Sequence, residues 1–445
     1  MKKIIYLGIA LFAFNLNFAT NKATLSKNVV ECSASIGYNC KTDVCGVITI
    51  PADLTAADLI SRMGVGWNLG NTFDSFSRAP VGYALDAPLY ILETLWVGGI
   101  PALTTQSLIQ QVRNQGFNTI RIPVTWFKAA DPNNNYAIRA DYMERIKQVI
   151  DWALEEDMFV ILNMHHDNVM YHLNEGDASL SCHPGNRYVT SIWRQIAETF
   201  RDYDERLVFA LLNEPRTYGT GVEWEGGTEL ERTNLNYLNQ AMLNTIRATG
   251  GNNINRIIQV TTVAASPSAT AINGFRVPLD LEQHRVTIGD RTDVGIGETN
   301  ISSRKLIFQI QAYAPHAWAH DGVGEYNLSE IITVLDRVYA RAIQLGLPVN
   351  LSEWGSIESV MPLEARNDEN VAARPALRVQ HAEDFVREAT KRGMMTIWWD
   401  CHIFEDDRPR VHTFGLIRRA YPHEIAPQYQ DIIDAMMRGV GIIER

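Results

Sequence analysis

Short apolar runs alternate along the chain with longer stretches in which apolar residues recur every three to four positions. The clearest run is Leu207-Val208-Phe209-Ala210-Leu211-Leu212, which ends abruptly in Asn213-Glu214-Pro215. A continuous apolar run closed by polar residues and proline predicts a parallel strand buried on both faces. Seven further runs, Gly64–Asn71, Thr119–Val124, Met158–Asp167, Arg256–Thr262, Leu306–Tyr313, Pro348–Gly355 and Met394–Asp400, predict the same. Helical spacing predicts helices near Thr105–Gln115, Asp141–Glu156, Ser191–Tyr203, Glu229–Thr249, Leu328–Leu345, Ala376–Arg392 and Ile425–Met437, several of them stopped by glycine. Strands and helices in strict alternation predict an α/β protein, a (β/α)8 TIM barrel, formed by one continuous domain over 56–445. The polar stretch from Ala264 to Arg304 reads as a long functional or mobile connection.

What precedes the barrel changes the picture of compartment. Lys2 and Lys3 are followed by an apolar segment from Ile4 to Phe14 and then Asn15 to Ala19, the layout of a secretory signal peptide over 1–19. The apolar segment is too short to span a bilayer, so no membrane association is expected once the leader is removed. Residues 20–55 read as a short Cys-containing N-terminal extension packed on the outside of the barrel. Three of the five cysteines, Cys32, Cys40 and Cys45, crowd into it, which in a secreted chain predicts a local disulfide staple. The formal net charge is −11, or −13 without Lys2 and Lys3. That balance excludes nucleic acid and anionic membrane surfaces as partners and suits a neutral substrate.

The candidate chemistry sits at the strand ends. In a barrel of parallel strands the carboxyl ends converge on one face, so Asn68, Asn71, Arg121, His165, His166, Asn213, Glu214, Tyr313, Glu353 and Trp399 are predicted to meet there. Arg121 lies inside an apolar strand and must find a buried acid, because an unpaired buried guanidinium is prohibitively costly. Glu214 and Glu353 form a candidate carboxylate pair, with no Cys or Lys nucleophile beside them. Trp224, on a glycine-rich loop, needs something to pack on, and Trp318 follows the sixth strand. Such a set suits glycoside hydrolysis, in which one carboxyl group protonates the leaving oxygen while the other attacks or activates water. Trp354 and Trp398 are equally well read as barrel core. No cofactor is implied. A metal at His165-His166-Asp167 is disfavoured, since consecutive residues of an extended strand face opposite ways.

Five motifs in register carry a resemblance. Gly66-Trp67-Asn68-Leu69-Gly70-Asn71-Thr72-Phe73-Asp74, Arg121-Ile122-Pro123-Val124-Thr125-Trp126, Asn163-Met164-His165-His166, Leu212-Asn213-Glu214-Pro215-Arg216 and Ser352-Glu353-Trp354-Gly355 resemble the signatures of glycoside hydrolase family 5. Leu92-Glu93-Thr94-Leu95-Trp96, Glu223-Trp224-Glu225-Gly226-Gly227 and Ala248-Thr249-Gly250-Gly251-Asn252-Asn253 resemble its subfamily 4. The resemblance implies a (β/α)8 barrel and a retaining endo-β-1,4-glucanase acting on cellulose, mixed-linkage glucan or xyloglucan; with the leader this gives an expected secreted enzyme, and a monomer is expected. Glu214 would be the general acid/base and Glu353 the nucleophile, Asn213 would hold the sugar 2-hydroxyl, Arg121 and Tyr313 would keep Glu353 ionised, His165 would line the pocket and Trp399 would floor it. Two departures stand out: Gln311-Ala312-Tyr313 replaces the family's His-x-Tyr, and Asp400-Cys401-His402 replaces its Asp-Asn-Gly. Gln311 can hydrogen-bond but cannot shuttle a proton. A mannanase or xylanase on the same barrel, and a barrel that binds polysaccharide without cleaving it, are the alternatives.

Overall fold

The computed structural model describes residues 49–77, 85–280, 304–358, 368–404 and 412–441. Eight strands close a parallel barrel: β1 (Val65–Asn68), β2 (Thr119–Ile122), β3 (Phe159–Asn163), β4 (Leu207–Ala210), β5 (Ile258–Thr261), β6 (Leu306–Gln311), β7 (Val349–Trp354) and β8 (Met395–Trp398). Each pairs with its neighbour in sequence, and β1 pairs with β8 to complete the ring. All eight expected strands are present, shorter than the apolar runs because each run continues into the turn beyond its last ladder bond. The expected leader and the expected staple of Cys32, Cys40 and Cys45 fall outside the described residues, which include no membrane-length apolar helix.

Strand alternation sorts the apolar side chains into two cores. Leu207, Phe209, Ile120, Ile122, Ile258 and Val260 face outward and pack with the surrounding helices. Ile161, Val208, Ala210, Ile307, Met395 and Ile397 face the barrel axis. There they meet Ala56, Leu59, Ile60 and Met63, one face of a helix at Ala56–Met63. Thr55 and Asp58 close a capping box at its start. This helix packs on the inward-facing residues at the end of the barrel opposite the polar strand ends.

The helices depart from expectation in three places. The helix expected from Ser191 begins at Pro184, because proline at the first turn forfeits no hydrogen bond. A side chain at Gly185 would lie 2.0 Å from the Tyr171 carbonyl, so only glycine fits that turn. The helix expected from Ala376 runs from Asp368 through Pro375. Part of the Ala264–Arg304 connection is ordered as a short helix at Ala269–Gly274, and 281–303 lie outside the described residues.

Candidate active site

Arg121 is the centre of the mouth. Its neighbours Ile120 and Ile122 pack outward, so alternation turns Arg121 inward, where it is fully buried. One guanidinium nitrogen, Nη1, donates to Glu353 Oε1 at 2.7 Å and to Asn68 Oδ1 at 2.8 Å; Nη2 donates to Asn213 Oδ1 at 2.7 Å. The buried acid that Arg121 required is Glu353.

Glu353 reaches it through an irregularity in β7. Val349 and Leu351 pack outward, while Asn350 turns into the barrel and donates to Gln259 Oε1 at 2.9 Å. Regular alternation would then send Glu353 outward. Both neighbouring strands instead count one extra residue in β7: Ile310 and Gln311 face Leu351 and Glu353, and Thr396 and Trp398 face Leu351 and Trp354. This bulge at Ser352 swings Glu353 into the mouth and Trp354 onto the outer core. The Tyr313 hydroxyl then donates to Glu353 Oε2 at 3.2 Å, so each carboxylate oxygen has its own donor.

Around this pair the floor is closed by side chains that fix one another. Gln311 Nε2 donates to Asn213 Oδ1 at 2.7 Å, and Asn213 Nδ2 lies 3.2 Å from His165 Nε2. Asn163, whose Oδ1 accepts from the Val124 backbone, holds the other face of His165 through Nδ2 at 3.0 Å. The Trp399 ring stacks parallel to the His165 ring, with centroids 5.6 Å apart. Its far edge rests on Gly70, where an added Cβ would meet the ring at 2.9 Å and the Asp400 carbonyl at 2.8 Å.

Glu214 approaches from the β4 side. Its Oε2 accepts from Arg216 Nη1 at 2.9 Å, and Arg216 Nε donates to Glu223 at 2.9 Å. The same guanidinium sits 4.0 Å above the Trp224 ring and 5.0 Å above the Tyr218 ring. Phe76, Phe127, Val169, Arg216, Tyr218 and Trp224 line a groove of about 510 Å³ that runs outward from there.

Burial raises the pKa of both glutamates. Arg216 and then Arg121 oppose the rise at Glu214. Glu353 is pushed up to about 8 by burial and by the charge of Glu214, with Arg121 and Tyr313 opposing. The two carboxyls therefore feel each other, and an anion at Glu214 makes a second anion at Glu353 harder to form. Burial, reinforced by His166 and Arg121, holds His165 well below its ordinary value, so it is a neutral imidazole.

The structure thus brings together Glu214, Glu353, Arg121, His165, Asn213, Gln311, Tyr313 and Trp399, with Trp224 on the adjoining groove. Asn71 takes a left-handed backbone at the mouth, and its N–H donates to Asp74. Two expected ligand contacts need correction. Asn68 is fully buried, with its amide consumed by Arg121 and by the Ser352 and Trp398 carbonyls, so it supports Arg121 instead of facing a ligand. Trp318 is turned away by the short helix His316–Ala319 and packs on Arg374 at 4.6 Å, with Tyr326 and His381 beside it. Trp354 and Trp398 are core, the former stacked on Phe385. The ground given against a metal at His165 and His166 also fails. β3 has ended at Asn163, and His165, His166 and Asp74 each bring one ligand atom within 4.8 Å of the others. His166 packs against Phe76 and Trp96 on the rim. Arg216, Asn163, Phe76, Trp96 and Tyr218 were missed as site residues; for Arg216 the signal was its place directly after Glu214-Pro215.

Fold and site define a class: parallel (β/α)8 barrels with a carboxylate pair at the carboxyl-end mouth. The family model described as Cellulase (glycosyl hydrolase family 5) matches residues 81–405, and the chain belongs to that family. It is 34% identical over 403 residues, 86% of its length, to Endoglucanase A of Clostridium longisporum, and 34% identical over 396 residues, 88% of its length, to a cellulase/esterase of Acetivibrio thermocellus. It spans 66% of the first relative and 41% of the second. Among solved structures it is similar to a GH5-4 broad specificity endoglucanase from Ruminococcus champanellensis with bound cellotriose (TM-score 0.72, 32% identity, 86% of this chain and 99% of that one). A xyloglucan-specific endo-β-1,4-glucanase from a metagenomic library, in complex with cellotriose, is 29% identical (TM-score 0.68, 86% and 98% covered).

Proposed function

We propose that the protein is a secreted, retaining endo-β-1,4-glucanase that hydrolyses internal bonds of β-glucans, with Glu353 as nucleophile and Glu214 as general acid/base. The observation that carries this is the double hydrogen bonding of Glu353 by Arg121 and Tyr313 on a closed floor, within charge range of Glu214. Burial and the charge of Glu214 raise the pKa of Glu353, and Arg121 and Tyr313 oppose that rise. Both donors favour the anion of Glu353, Arg121 most of all because it carries a charge, so we assign the charge to Glu353 and the proton to Glu214. Glu353 then attacks the anomeric carbon while Glu214 protonates the leaving oxygen. In the second step water, giving its proton to Glu214, attacks the anomeric carbon and breaks its bond to Glu353, which frees the sugar and restores both carboxyls. Asn213, with Oδ1 fixed by Arg121 and Gln311, is oriented to hold the sugar beside the bond being broken. The groove under Trp224 and Tyr218 supports a chain that extends past the cleavage point, hence endo action. The leader-like segment over 1–19 supports secretion.

A hydrolysis panel on carboxymethyl-cellulose, lichenan, xyloglucan, glucomannan and xylan tests the assignment. Reducing ends should appear fastest from one of the first three. Preference for glucomannan or xylan would replace it with the mannanase or xylanase alternative, and release from none of them would leave a binding barrel.

A further inference from the structure

A second constellation lies at the lip of the mouth, outside the proposed chemistry. The short helix His316–Ala319 puts His316 and His320 one turn apart, and their rings stack with centroids 4.8 Å apart. Asp321 faces both: Oδ2 lies 3.3 Å from His316 Nδ1, and Oδ1 lies 2.7 Å from His320 Nδ1. One ligand atom from each of the three residues falls within 4.8 Å of the others. A third imidazole, His412, comes from the segment after β8, its ring centroid 5.0 Å from that of His320. His316 is two-thirds exposed and Asp321 about half, so an ion can enter from solvent.

Four features separate this group from a chance surface cluster. Two imidazoles at helical i, i+4 spacing present their nitrogens on one side, and the carboxylate between them supplies the negative charge that two cations-in-waiting lack. Neutral nitrogen with a single carboxylate is the donor set preferred by zinc and its late first-row neighbours over magnesium or calcium. A tetrahedral ion about 2.1 Å from each ligand holds them ~3.4 Å apart, so exposed side chains need only small rotations to close on it. The cluster is also built into the site wall, because His320 packs edge-on against Tyr313, the residue that donates to Glu353. The other three-residue group, Asp74, His165 and His166, is more committed: Asp74 caps the Asn71 and Thr72 N–H groups, and His165 is held between Asn163 and Asn213.

We propose that His316, His320 and Asp321 form a binding site for a zinc-class divalent cation on the lip of the cleft, with His412 as the adjacent imidazole. Zinc titration of the full chain by calorimetry, beside cobalt(II) titration followed by visible absorption, tests it. The wild type should take up one ion in a site whose cobalt spectrum shows tetrahedral nitrogen/oxygen coordination. His316→Ala and Asp321→Ala should each weaken it by at least the roughly 10- to 100-fold that loss of a supporting residue alone costs. His316 is exposed, so its removal leaves the fold intact. Uptake undiminished in both variants, uptake lost only in His166→Ala, or cobalt bands of thiolate ligation would each overturn the assignment.

Discussion

The floor and the rim of the mouth are built on opposite terms. On the floor, Arg121, Asn213, His165, Gln311 and Glu353 come from strand ends, are nearly inaccessible, and hold one another by hydrogen bonds of 2.7–3.2 Å. On the rim, Trp96, Tyr218, Trp224 and His316 come from loops or a short helix and keep a third or more of their surface in solvent. A buried polar network leaves no freedom for a substitute, since any missing partner strands a desolvated group. An exposed aromatic can be exchanged at modest cost. On the proposed function, chemistry belongs to the floor and choice of polymer to the rim.

Removing the two acids should break the comparison most severely. Glu214→Gln is expected to lose about 10²- to 10⁴-fold in kcat, the usual worth of a general acid/base, and Glu353→Gln at least as much. Initial rates on a soluble β-glucan check this, and an active Glu353→Gln would refute the nucleophile assignment. Next comes Arg121→Gln, which strips the guanidinium from a buried carboxylate. Glu353 should then keep its proton to higher pH, so the acidic limb of kcat/KM moves up. The stability deficit should also grow as pH rises through that raised pKa, because the acid form tolerates burial and the anion does not. At alkaline pH the loss is about 3–5 kcal/mol, readable by denaturant unfolding at two pH values. Tyr313→Phe removes one donor from the anion, for which a fall of roughly 10- to 100-fold is expected in kcat.

On the rim the effects shrink and change character. Arg216 lowers the pKa of Glu214, so Arg216→Gln should let Glu214 hold its proton longer and move the alkaline limb upward. In the wild type, burial already holds that limb above the ordinary carboxylate range. Trp224→Ala should raise KM by about 2- to 10-fold and leave kcat nearly unchanged, the signature of binding away from the reacting bond. A large kcat loss in Trp224→Ala would dissolve the division between floor and rim.

The same division governs what could be read from the amino-acid order. Apolar runs ending in Asn213-Glu214-Pro215 or Glu353-Trp354-Gly355 announce both the strand and the residue at its mouth, because a polar residue inside a buried run needs a dedicated partner, as Asn350 finds in Gln259, while one at the end can face the cleft. Arg121 announces its acid partner for the same reason. The bulge at Ser352 leaves no mark: alternation taken from Asn350 would have pointed Glu353 away, and only pairing with β6 and β8 shows the extra residue. Asn68 was misassigned because its position at a strand end is the same whether it faces a ligand or the underside of Arg121. Trp318 was misassigned because a short helix reverses the chain just beyond β6. Loop aromatics such as Phe76 and Trp96 obey no period, so nothing in the pattern gathers them with His166. Gln311 is the case in between. It was visible as a departure, and the structure gives it one bond, to Asn213, with its own Oε1 buried and without a partner. Gln311→His should therefore alter the pH profile only weakly, and a marked shift would give position 311 a direct part in proton transfer.

The account rests on Glu353 becoming covalently bonded to sugar. Incubation with an activated 2-deoxy-2-fluoro-cellobioside, followed by proteolysis and mass spectrometry, measures this directly. A single glycosyl adduct on the peptide carrying Glu353 is predicted; an adduct on Glu214 or elsewhere, or none while the enzyme turns over β-glucan with inversion at the anomeric carbon, would contradict it.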